Sequence, residues 1–259
     1  MIIDFQNPDF SYFLGFIQAD GCLSEDSRNR GRLTIELNEK DILLLEQFKS
    51  LLPCNSFLST RKRDTNFTDD YKSATLKIYN KEFRDELISL GMIYGKKSDT
   101  AKVPTVNFSQ NDYFRGFIDG NGSLGLTGNG YPFLSLVTAS DFMKDSFLSF
   151  LDSITGKKKI VSRNKRDGIY NIVVYKEDAQ KVVDSLYYDK CMCLERKKEK
   201  AIEVTSWKRP DSMRKIENKR NWTKEEDDYI LIHSILESKE HLKRSESSIK
   251  TRIWRLRPK

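Results

Sequence analysis

Apolar and polar residues recur along this chain with two different periods. Residues 32–38 and 73–79 alternate between apolar and polar positions, which is typical of strands with one buried face. Residues 42–52 and 81–90 instead place apolar side chains three and four positions apart, which predicts helices. Gly91 follows the second of these stretches, where a glycine commonly ends a helix.

The same order of elements returns in the second half of the chain. Residues 133–137 and 172–175 predict strands, and residues 141–151 and 176–186 predict helices. Each half therefore predicts a helix, two strands, a helix, two strands and a helix. This order favours an α+β fold with antiparallel strands and with helices gathered on one face. Basic patches occupy matching places in the two halves, at Arg61–Arg63 and at Arg163–Arg166.

One short phrase occurs twice along the chain. It reads Phe-Leu-Gly-Phe-Ile-Gln-Ala-Asp-Gly at residues 13–21 and Phe-Arg-Gly-Phe-Ile-Asp-Gly-Asn-Gly at residues 114–122. Each copy is a helical stretch with two small residues four positions apart. Packed helices normally lie about 8–10 Å apart because side chains separate them, and small residues at the contact allow a closer approach. We therefore expect these two helices to cross at the small residues, which are Gly15 and Ala19 in the first copy and Gly116 and Gly120 in the second.

The polar residue just before the last glycine of each phrase is expected to lie next to its counterpart, and we call it the phrase-ending residue. If the two helices cross as predicted, Asp20 and Asn121 emerge side by side and face one small volume. Gly21 and Gly122 would then let the chain turn directly into a strand.

The two phrases resemble the signature of the LAGLIDADG homing endonucleases, and the resemblance extends from about Asp9 to about Glu203. It implies two pseudo-symmetric αββαββα repeats that form an antiparallel-sheet saddle on double-stranded DNA. It also implies a site-specific endonuclease that cuts both strands of a long target. Because the two halves differ in sequence, we expect an asymmetric target, and because both lie in one chain we expect a monomer.

The resemblance also implies a catalytic metal site. In the family both phrase-ending positions are usually acidic and hold divalent metal at the scissile phosphates, which makes Asp20 and Asn121 the expected ligands and catalytic residues. Oxygen ligands suit Mg²⁺, although other divalent metals would also serve. A basic residue near the metals is implied as well, for which Lys97 and its counterpart Lys190 are the candidates. Such a lysine would neutralise developing phosphate charge, position water or only contact phosphate.

Asn121 departs from the family pattern, because its amide oxygen carries no charge to attract a dication. Three interpretations stay open. The protein is naturally degenerate and binds without cutting, as a regulator or an RNA-splicing maturase acting on intron RNA; it nicks one strand through Asp20; or Asn121 is a substitution made to hold uncut DNA. Asp119, whose counterpart is Gln18, belongs to the helix and is not expected to replace the missing carboxylate.

The polar faces of the strands are the expected reading surface, since a β-ribbon fits the major groove. Some of these side chains would contact only phosphate, which positions the protein without specifying a sequence. The candidates are Arg28, Arg30, Arg32, Thr34, Arg61, Arg63, Lys72, Ser73 and Thr75 in the first half, and Thr127, Asn129, Ser135, Arg163, Lys165, Arg166 and Tyr170 in the second.

The last segment differs from the rest of the chain. We divide the chain into residues 1–104 and 105–203 for the two repeats, a polar linker at 204–219 and a small all-α module at 220–259. The module opens with a capping box, Thr-Lys-Glu-Glu, and Ser245 is expected to cap a final helix. It resembles a Myb-like or helix-turn-helix DNA-binding module. Its recognition helix would carry Lys250, Arg252 and Arg255, with Trp222 and Trp254 in its core.

Charge and composition support this division. The net charge is +7, and residues 204–259 hold 15 Lys and Arg against 9 Asp and Glu, so most of the excess lies in the tail. A basic tail favours contact with an acidic polymer. The only histidines, His233 and His241, lie in the tail, which excludes a histidine-based metal core. The absence of a Walker-type loop argues against ATP-driven action, and no small-molecule cofactor is expected.

The sequence also bears on location. The longest apolar runs are too short to cross a bilayer, and no charged-then-apolar leader opens the chain. The four cysteines follow no zinc spacing, so we expect reduced thiols. These features favour a cytoplasm-like compartment (the cytoplasm, an organelle or a phage-infected cell) and no membrane partner.

Overall fold

The computed structural model describes residues 4, 6–27, 31–64, 70–95, 98–211, 213 and 221–256. The chain divides into two compact units, Met1–Lys208 and Arg209–Lys259. The helices of the first unit are α1 (Pro8–Asp20), α2 (Ile42–Leu51), α3 (Lys81–Ser89), α4 (Gln110–Asn121), α5 (Asp141–Thr155), α6 (Lys176–Leu186) and α7 (Glu195–Thr205). Its strands are β1 (Cys22–Ser24), β2 (Arg32–Asn38), β3 (Ser56–Arg63), β4 (Tyr71–Ile78), β5 (Gly122–Leu126), β6 (Pro132–Thr138) and β7 (Tyr170–Tyr175).

The strands form two antiparallel sheets, which confirms the predicted α+β class. The first sheet has the strand order β1-β2-β4-β3 and the second has the order β5-β6-β7. In β2 the alternation is regular: Leu33, Ile35 and Leu37 are buried, and the polar residues between them face outward. Each sheet therefore has an inner face covered by helices and an outer, polar or partly exposed face.

The helix boundaries follow local sequence signals. Ser140 begins α5, because its hydroxyl accepts a hydrogen bond from the Met143 amide. Gly156 ends the same helix in the left-handed conformation, with φ of 66°. Asn80 caps α3 by accepting from the Phe83 amide at 2.8 Å, and Gly91 follows with φ of 94°. These caps explain why the predicted helices begin and end where they do.

The second half contains one strand fewer than predicted. Within the continuously described range 98–211, residues 157–169 form no strand, so the expected αββαββα order is interrupted between α5 and β7. Two side chains of this segment donate hydrogen bonds to backbone carbonyls. Lys159 Nζ donates to the Val173 carbonyl of β7, and Arg163 Nη1 donates to the Gly168 carbonyl at 2.7 Å.

The core of the first unit is rich in aromatic side chains. Phe13 and Phe16 of α1 pack edge-on against Phe48 of α2, at ring-centre distances of 4.9 and 5.4 Å. On the other side, Phe114 of α4 packs against Phe147 and Phe150 of α5. Edge-to-face pairs add roughly 0.5–1.5 kcal/mol beyond the area that they bury. Each of the two central helices is thus held by a companion helix within its own half.

The second unit contains three helices in its described part, α8 (Lys224–Ile232), α9 (Ile235–Leu242) and α10 (Glu246–Leu256). Ile230, Leu242 and Ile249 form its small core. The predicted capping box is confirmed, because the Thr223 hydroxyl and the Glu226 carboxylate each accept a backbone amide at the start of α8. Among the residues that the structure describes, no helix is both long and apolar enough to cross a membrane.

Candidate functional site

The helices α1 and α4 touch backbone to backbone. A Cβ atom added at Gly15 would lie 2.0 Å from the carbonyl oxygen of Tyr113, and one added at Gly116 would lie 2.0 Å from that of Tyr12. Real Cβ atoms essentially never approach another atom that closely. Only glycine therefore fits at these two positions, and the crossing that the spacing of small residues predicts is present.

Polar side chains join the same two helices in a reciprocal way. The Tyr12 hydroxyl donates to Asp119 Oδ2 of the opposite helix at 2.7 Å, and the Tyr113 hydroxyl donates to Gln18 Oε1. Tyr187 and the Leu194 amide also donate to Asp119, at 2.6 and 2.8 Å. Burial raises the pKa of Asp119, which these hydrogen bonds and Lys197 counteract. Asp119 is thus engaged with partners inside the protein, which is consistent with the expectation that it does not replace the missing carboxylate.

Asp20 and Asn121 leave the helices at the same end of this contact. A Cβ atom added at Gly120 would lie 3.4 Å from the Cβ of Asp20, so the last turns of α1 and α4 are in contact. Both phrase-ending side chains are exposed. Asn121 Nδ2 donates to the Val137 carbonyl of β6 at 3.2 Å, and this leaves its Oδ1 as the acceptor.

The glycines that follow these residues serve a steric purpose. Gly21 and Gly122 are extended, with φ of −73° and −110°, and any residue can adopt such angles. A Cβ atom at Gly21 would lie 2.8 Å from the Ile17 carbonyl oxygen, and one at Gly122 would lie 2.8 Å from the Ser135 carbonyl oxygen. The helix-to-strand turn therefore requires glycine because it is crowded, and not because it needs a special backbone conformation.

The structure places a buried lysine at this end of α4 that sequence reasoning missed. Lys197 of α7 donates from Nζ to the carbonyl oxygens of Ile118, Asp119 and Gly122. Burial lowers the pKa of Lys197 to about 8, and the carboxylates of Asp119, Asp20 and Asp41 act in the opposite direction. A positive charge at the C-terminal end of a helix is favourable.

A sequence signal for Lys197 exists. In α7 the buried positions are Lys197, Ala201 and Val204, with Leu194 buried just before the helix. Their spacing of three and four places the lysine on the apolar face of the helix. An ionisable residue on such a face points to a special environment.

The two lysines proposed from sequence are placed differently. Lys97 lies outside the described residues. Lys190 is exposed and lines a cavity of about 600 Å³ together with Asp9, at the N-terminal end of α1. Because Asp9 lies 11 residues before Asp20 in α1, which rises about 1.5 Å per residue, the two residues are roughly 16 Å apart along the helix. The structure does not bring Lys190 to the Asp20 end; among the described lysines, Lys197 lies there and Lys40 lines the cleft beside Asp20.

A cleft of about 450 Å³ opens beside Asp20. Glu36, Asp41, Lys40 and Arg196 line it. Arg196 Nε donates to Asp41 Oδ2 at 3.1 Å. Both carboxylates and basic groups therefore line the cleft, which suits a ligand that carries both a phosphate and a bound cation.

The donor set at the helix ends suits a hard divalent cation held in an open site. Asp20 offers a carboxylate and Asn121 an amide oxygen, and both are oxygen ligands of the kind that Mg²⁺ binds. No group of three His, Cys, Asp or Glu residues able to hold a metal occurs in the described part of the chain. Mg²⁺ usually keeps several waters and uses only one or two carboxylates plus substrate phosphate. The residues therefore fit the ion, with one charge fewer than two aspartates would give.

The outer face of the first sheet holds most of the described reading candidates of the first half. The strand register sets Thr75 of β4 opposite Glu36 of β2 and Ser59 of β3. Alternation along the three strands brings these candidates to one face: Arg32, Thr34, Arg61, Arg63, Ser73 and Thr75. Glu36, Asn38, Ser59 and Lys77 share the face and were missed. Arg28 and Arg30 lie outside the described residues.

Three candidates are not exposed on the outer face of a sheet: two lie on an inner face, and one lies on the outer face but is buried. Lys72 points to the inner side of the first sheet, opposite to Ser73, because neighbouring residues of a strand face opposite ways. Ser73 is on the outer face but 0% exposed. Tyr170 is on the inner face of the second sheet, 7% exposed, and its hydroxyl donates to Asp141.

The second sheet presents a different outer face. In its three strands the outward residues are Ser123, Gly125, Phe133, Ser135, Val137, Asn171, Val173 and Tyr175, none of them charged. Of the predicted readers only Ser135 lies on it, and its hydroxyl donates to the Ser123 carbonyl at 3.4 Å. The two sheets therefore offer a nucleic acid different chemistry.

The remaining candidates of the second half lie in turns and loops. Thr127 and Asn129 belong to the β5–β6 connection, where the Thr127 hydroxyl accepts from the Tyr131 amide at 3.1 Å. Lys165 and Arg166 are exposed in a turn, and Arg166 pairs with Asp167 at 3.0 Å. Arg163 pairs with Asp141 at 2.9 Å, and the hydrogen bond from Tyr170, together with the one from Arg163, lowers the pKa of that carboxyl.

The predicted recognition helix of the tail is α10. Lys250 is paired with Glu246 at 2.6 Å on an exposed surface. Arg252 binds Asp227 of α8 with two hydrogen bonds, so it holds the three-helix unit together. Arg255 lines a cavity of about 280 Å³ with Trp222 and hydroxyl side chains. Trp222 packs on the small core as expected, whereas Trp254 is 68% exposed because its position on α10 faces away from that core.

Comparisons with known proteins agree with this fold. Residues 7–89 match the family profile described as LAGLIDADG-like domain. The chain resembles the solved structure of the homing endonuclease I-WcaI bound to its DNA recognition sequence, with 13% identity, a TM-score of 0.50, and coverage of 78% of this chain and 88% of that one. At this identity the likeness shows a shared fold.

Two further solved structures are similar at a lower level. One is the LAGLIDADG meganuclease I-CpaMI bound to uncleaved DNA, with 13% identity, a TM-score of 0.49, and coverage of 77% of this chain and 90% of that one. The other is the LAGLIDADG homing endonuclease I-GzeII in complex with its DNA target, with 18% identity, a TM-score of 0.44, and coverage of 70% and 82%. No curated protein matches the sequence.

Proposed function

We propose that this protein is a site-specific DNA endonuclease of the LAGLIDADG homing type, that it acts as a monomer, and that Asn121 impairs cleavage of one strand. One observation carries the proposal: two glycine-crossed helices end side by side at Asp20 and Asn121, at the edge of strands whose outer faces are open. The match of residues 7–89 to a LAGLIDADG-like domain supports it. The DNA-bound state of I-WcaI is consistent with the same use of the fold.

The chain's own residues suggest how the site works. The outer faces of the β-strands would bind the DNA duplex. The ends of α1 and α4 would then each lie against the sugar-phosphate backbone of one DNA strand. Asp20 and the Asn121 oxygen would hold a divalent metal, which supplies Lewis acidity at the scissile phosphate. Lys197 holds the carbonyls that end α4 and so fixes the position of Asn121. Its positive charge, close to Asp20, also offsets negative charge that accumulates on phosphate.

The two helix ends differ in charge, and this predicts unequal strand cleavage. Asp20 carries a carboxylate, whereas the Asn121 amide is neutral and its nitrogen is engaged with the Val137 carbonyl. A dication at the Asn121 side loses most of its Coulomb attraction. We therefore propose nicking of one strand as the main activity of this chain.

A second candidate function is DNA binding without cleavage, either as a regulator or in a maturase that binds intron RNA. The neutral Asn121 side chain favours it, because a metal pair at the helix ends would need more charge than one carboxylate provides. Its settled hydrogen bond to β6 shows that the amide has a structural partner in the protein.

Cleavage of a selected target separates these functions. Duplexes that the full-length protein enriches from a randomised library are cloned into a supercoiled plasmid and incubated with Mg²⁺. We expect the wild type to give open circles, Asn121→Asp to give linear DNA, and Asp20→Asn to leave the plasmid intact. Intact plasmid with Asn121→Asp, despite tight binding, would refute the nuclease and support the non-cleaving binder. Full linearisation by the wild type would refute the proposed impairment.

A further inference from the structure

An acidic residue, Glu36, lies among the basic residues of the outer face of the first sheet and also lines the cleft beside Asp20. Glu36 Oε1 lies 3.1 Å from Arg63 Nη2 and 3.7 Å from Arg61 Nη2. The three side chains are each between about one-third and just over one-half exposed, so a ligand can reach them. We call Glu36, Arg61 and Arg63 the bridge cluster.

The bridge cluster spans the middle of the sheet. Glu36 belongs to β2 and the arginines belong to β3, and β4 lies between those strands. Since neighbouring strands are about 4.8 Å apart, the side chains reach across roughly 10 Å. In the register Glu36 is opposite Thr75, whereas Arg61 and Arg63 are opposite Ser73 and Tyr71. The ion pairs therefore cross β4 at Ser73.

Two neighbours show that this arrangement is built into the face. Ser73, which the ion pairs cross, is 0% exposed although it points outward, and its hydroxyl has no hydrogen-bond partner among the described residues. The guanidinium of Arg63 also lies 5.7 Å from the centre of the Tyr71 ring. The arginines are thus held in place before any ligand binds.

A carboxylate here opposes simple attraction to DNA. A phosphate that contacts Arg61 or Arg63 competes with Glu36 for the guanidinium and places a second anion beside the Glu36 carboxylate. A G·C base pair satisfies Glu36 and one arginine, because guanine O6 and N7 accept from an arginine fork and the cytosine N4 amino group donates to a glutamate, and a neighbouring G·C pair offers the same acceptors to the second arginine. Phosphate satisfies only the cations.

We propose that Glu36, Arg61 and Arg63 read consecutive G·C base pairs in the major groove, and that Glu36 makes this contact selective by penalising phosphate and other base pairs. This inference rests on the proposed DNA-binding function and deepens it. It assigns the half-site under the first sheet to a G·C-containing block. Ser73 becomes accessible when the ion pairs open, and it adds a hydroxyl to the contact.

Glu36→Gln tests the role of the carboxylate, with Glu46→Gln as the matched control. Glu46 is exposed on α2, which covers the inner face of the same sheet, so its substitution makes the same charge change away from the bridge cluster. The probes are a duplex selected by the wild type, the same duplex with its G·C block replaced by A·T pairs, and the unselected random duplex. Thermal unfolding of both variants verifies that they are folded.

We expect Glu36→Gln to bind the unselected duplex several-fold more tightly than the wild type. Its preference for the G·C block should fall by on the order of tenfold, since one good base contact discriminates about that much. Arg61→Gln and Arg63→Gln should lose the same preference with weaker binding overall. Glu46→Gln should keep the wild-type preference.

Three results would overturn the inference. They are a selected target without a G·C block, an unchanged preference in Glu36→Gln, and equal effects of Glu36→Gln and Glu46→Gln. If selection enriches no sequence and no duplex is bound, the proposed function itself fails and this inference fails with it. If a target is enriched and nicked while Glu36→Gln behaves as the wild type, only the role of Glu36 is refuted.

Discussion

One methyl group at Gly116 should force α1 and α4 apart. The new Cβ atom of Gly116→Ala would lie 2.0 Å from the Tyr12 carbonyl oxygen and 2.8 Å from the Phe16 amide nitrogen. Both atoms are backbone, so no side-chain rotation relieves the contact. The helices must separate by at least about 1.4 Å to bring this contact from 2.0 Å to the ordinary 3.4 Å, and the packing along their whole crossing is loosened.

The size of the effect follows from two opposing terms. Overpacking of a core costs about 1–3 kcal/mol, and a clash between backbones belongs at the upper end of that range. Alanine in a helix interior is favoured over glycine by up to about 1 kcal/mol, which acts in the opposite direction. We therefore expect a net loss of about 2 kcal/mol in the free energy of unfolding. For a unit of this size that corresponds to a fall in Tm of about 4–8 °C.

Calorimetry of the full chain measures this change, because the two compact units unfold with different enthalpies and the transition of residues 1–208 is the larger one. Gly128→Ala is the control, since a Cβ atom at Gly128 meets nothing within 4 Å. Its stability should stay within about 0.5 kcal/mol of the wild type. Gly15→Ala should resemble Gly116→Ala, and the double variant should lose less than the sum, because one separation of the helices relieves both clashes. Equal stability of Gly116→Ala and Gly128→Ala would refute the close contact.

Three further results are expected. Arg115→Met should cost about 3–5 kcal/mol in urea unfolding, because it leaves the carboxylate of Asp112, now 2.6 Å from Arg115, buried and unpaired; a loss below 1 kcal/mol would contradict this. Burial lowers the pKa of Lys197 from 10.5 to about 8, so between these pH values the unfolded chain binds more protons than the folded one. The free energy of unfolding of the wild type should therefore rise relative to that of Lys197→Met from about pH 8 to 10.5. Parallel pH profiles of the two proteins would disprove this. Deletion of residues 209–259 should weaken duplex binding and flatten the slope of affinity against salt, since fewer counterions are released, and an unchanged slope would argue against a DNA-binding tail.

Local sequence patterns predicted the regular elements well. Residues 176–186 form α6 as the apolar spacing indicated, and β2 buries the three apolar residues that alternate along it. Such elements were predictable because a strand or a helix needs only a repeating pattern that gives it one buried face. The fourth strand that the repeat order predicted for the second half is absent from residues 157–169, where Lys159 and Arg163 donate to backbone carbonyls through their side chains.

The candidate site divides in the same way. The glycine spacing predicted the contact of α1 with α4, and the residues that end the phrases lie at its end, because backbone proximity depends on residue size at fixed positions. The lysine proposed from the sequence, Lys190, lies at the opposite end of α1 from Asp20. Lys197, which the sequence analysis did not propose, lies among the apolar residues on the buried face of α7.

Long-range packing determined the rest. Lys197 donates to carbonyls at the end of α4 that are 75 or more residues away along the chain. Glu36 pairs with Arg61 and Arg63 of β3 across β4, which lies between their strands in the sheet. No local pattern specifies such contacts, since they depend on which faces meet and on which charges lose their water in the process. A repeated phrase is enough to predict two crossed helices and the residues at their ends. The partners that surround those ends, and the charge that they bring, are set by the tertiary structure.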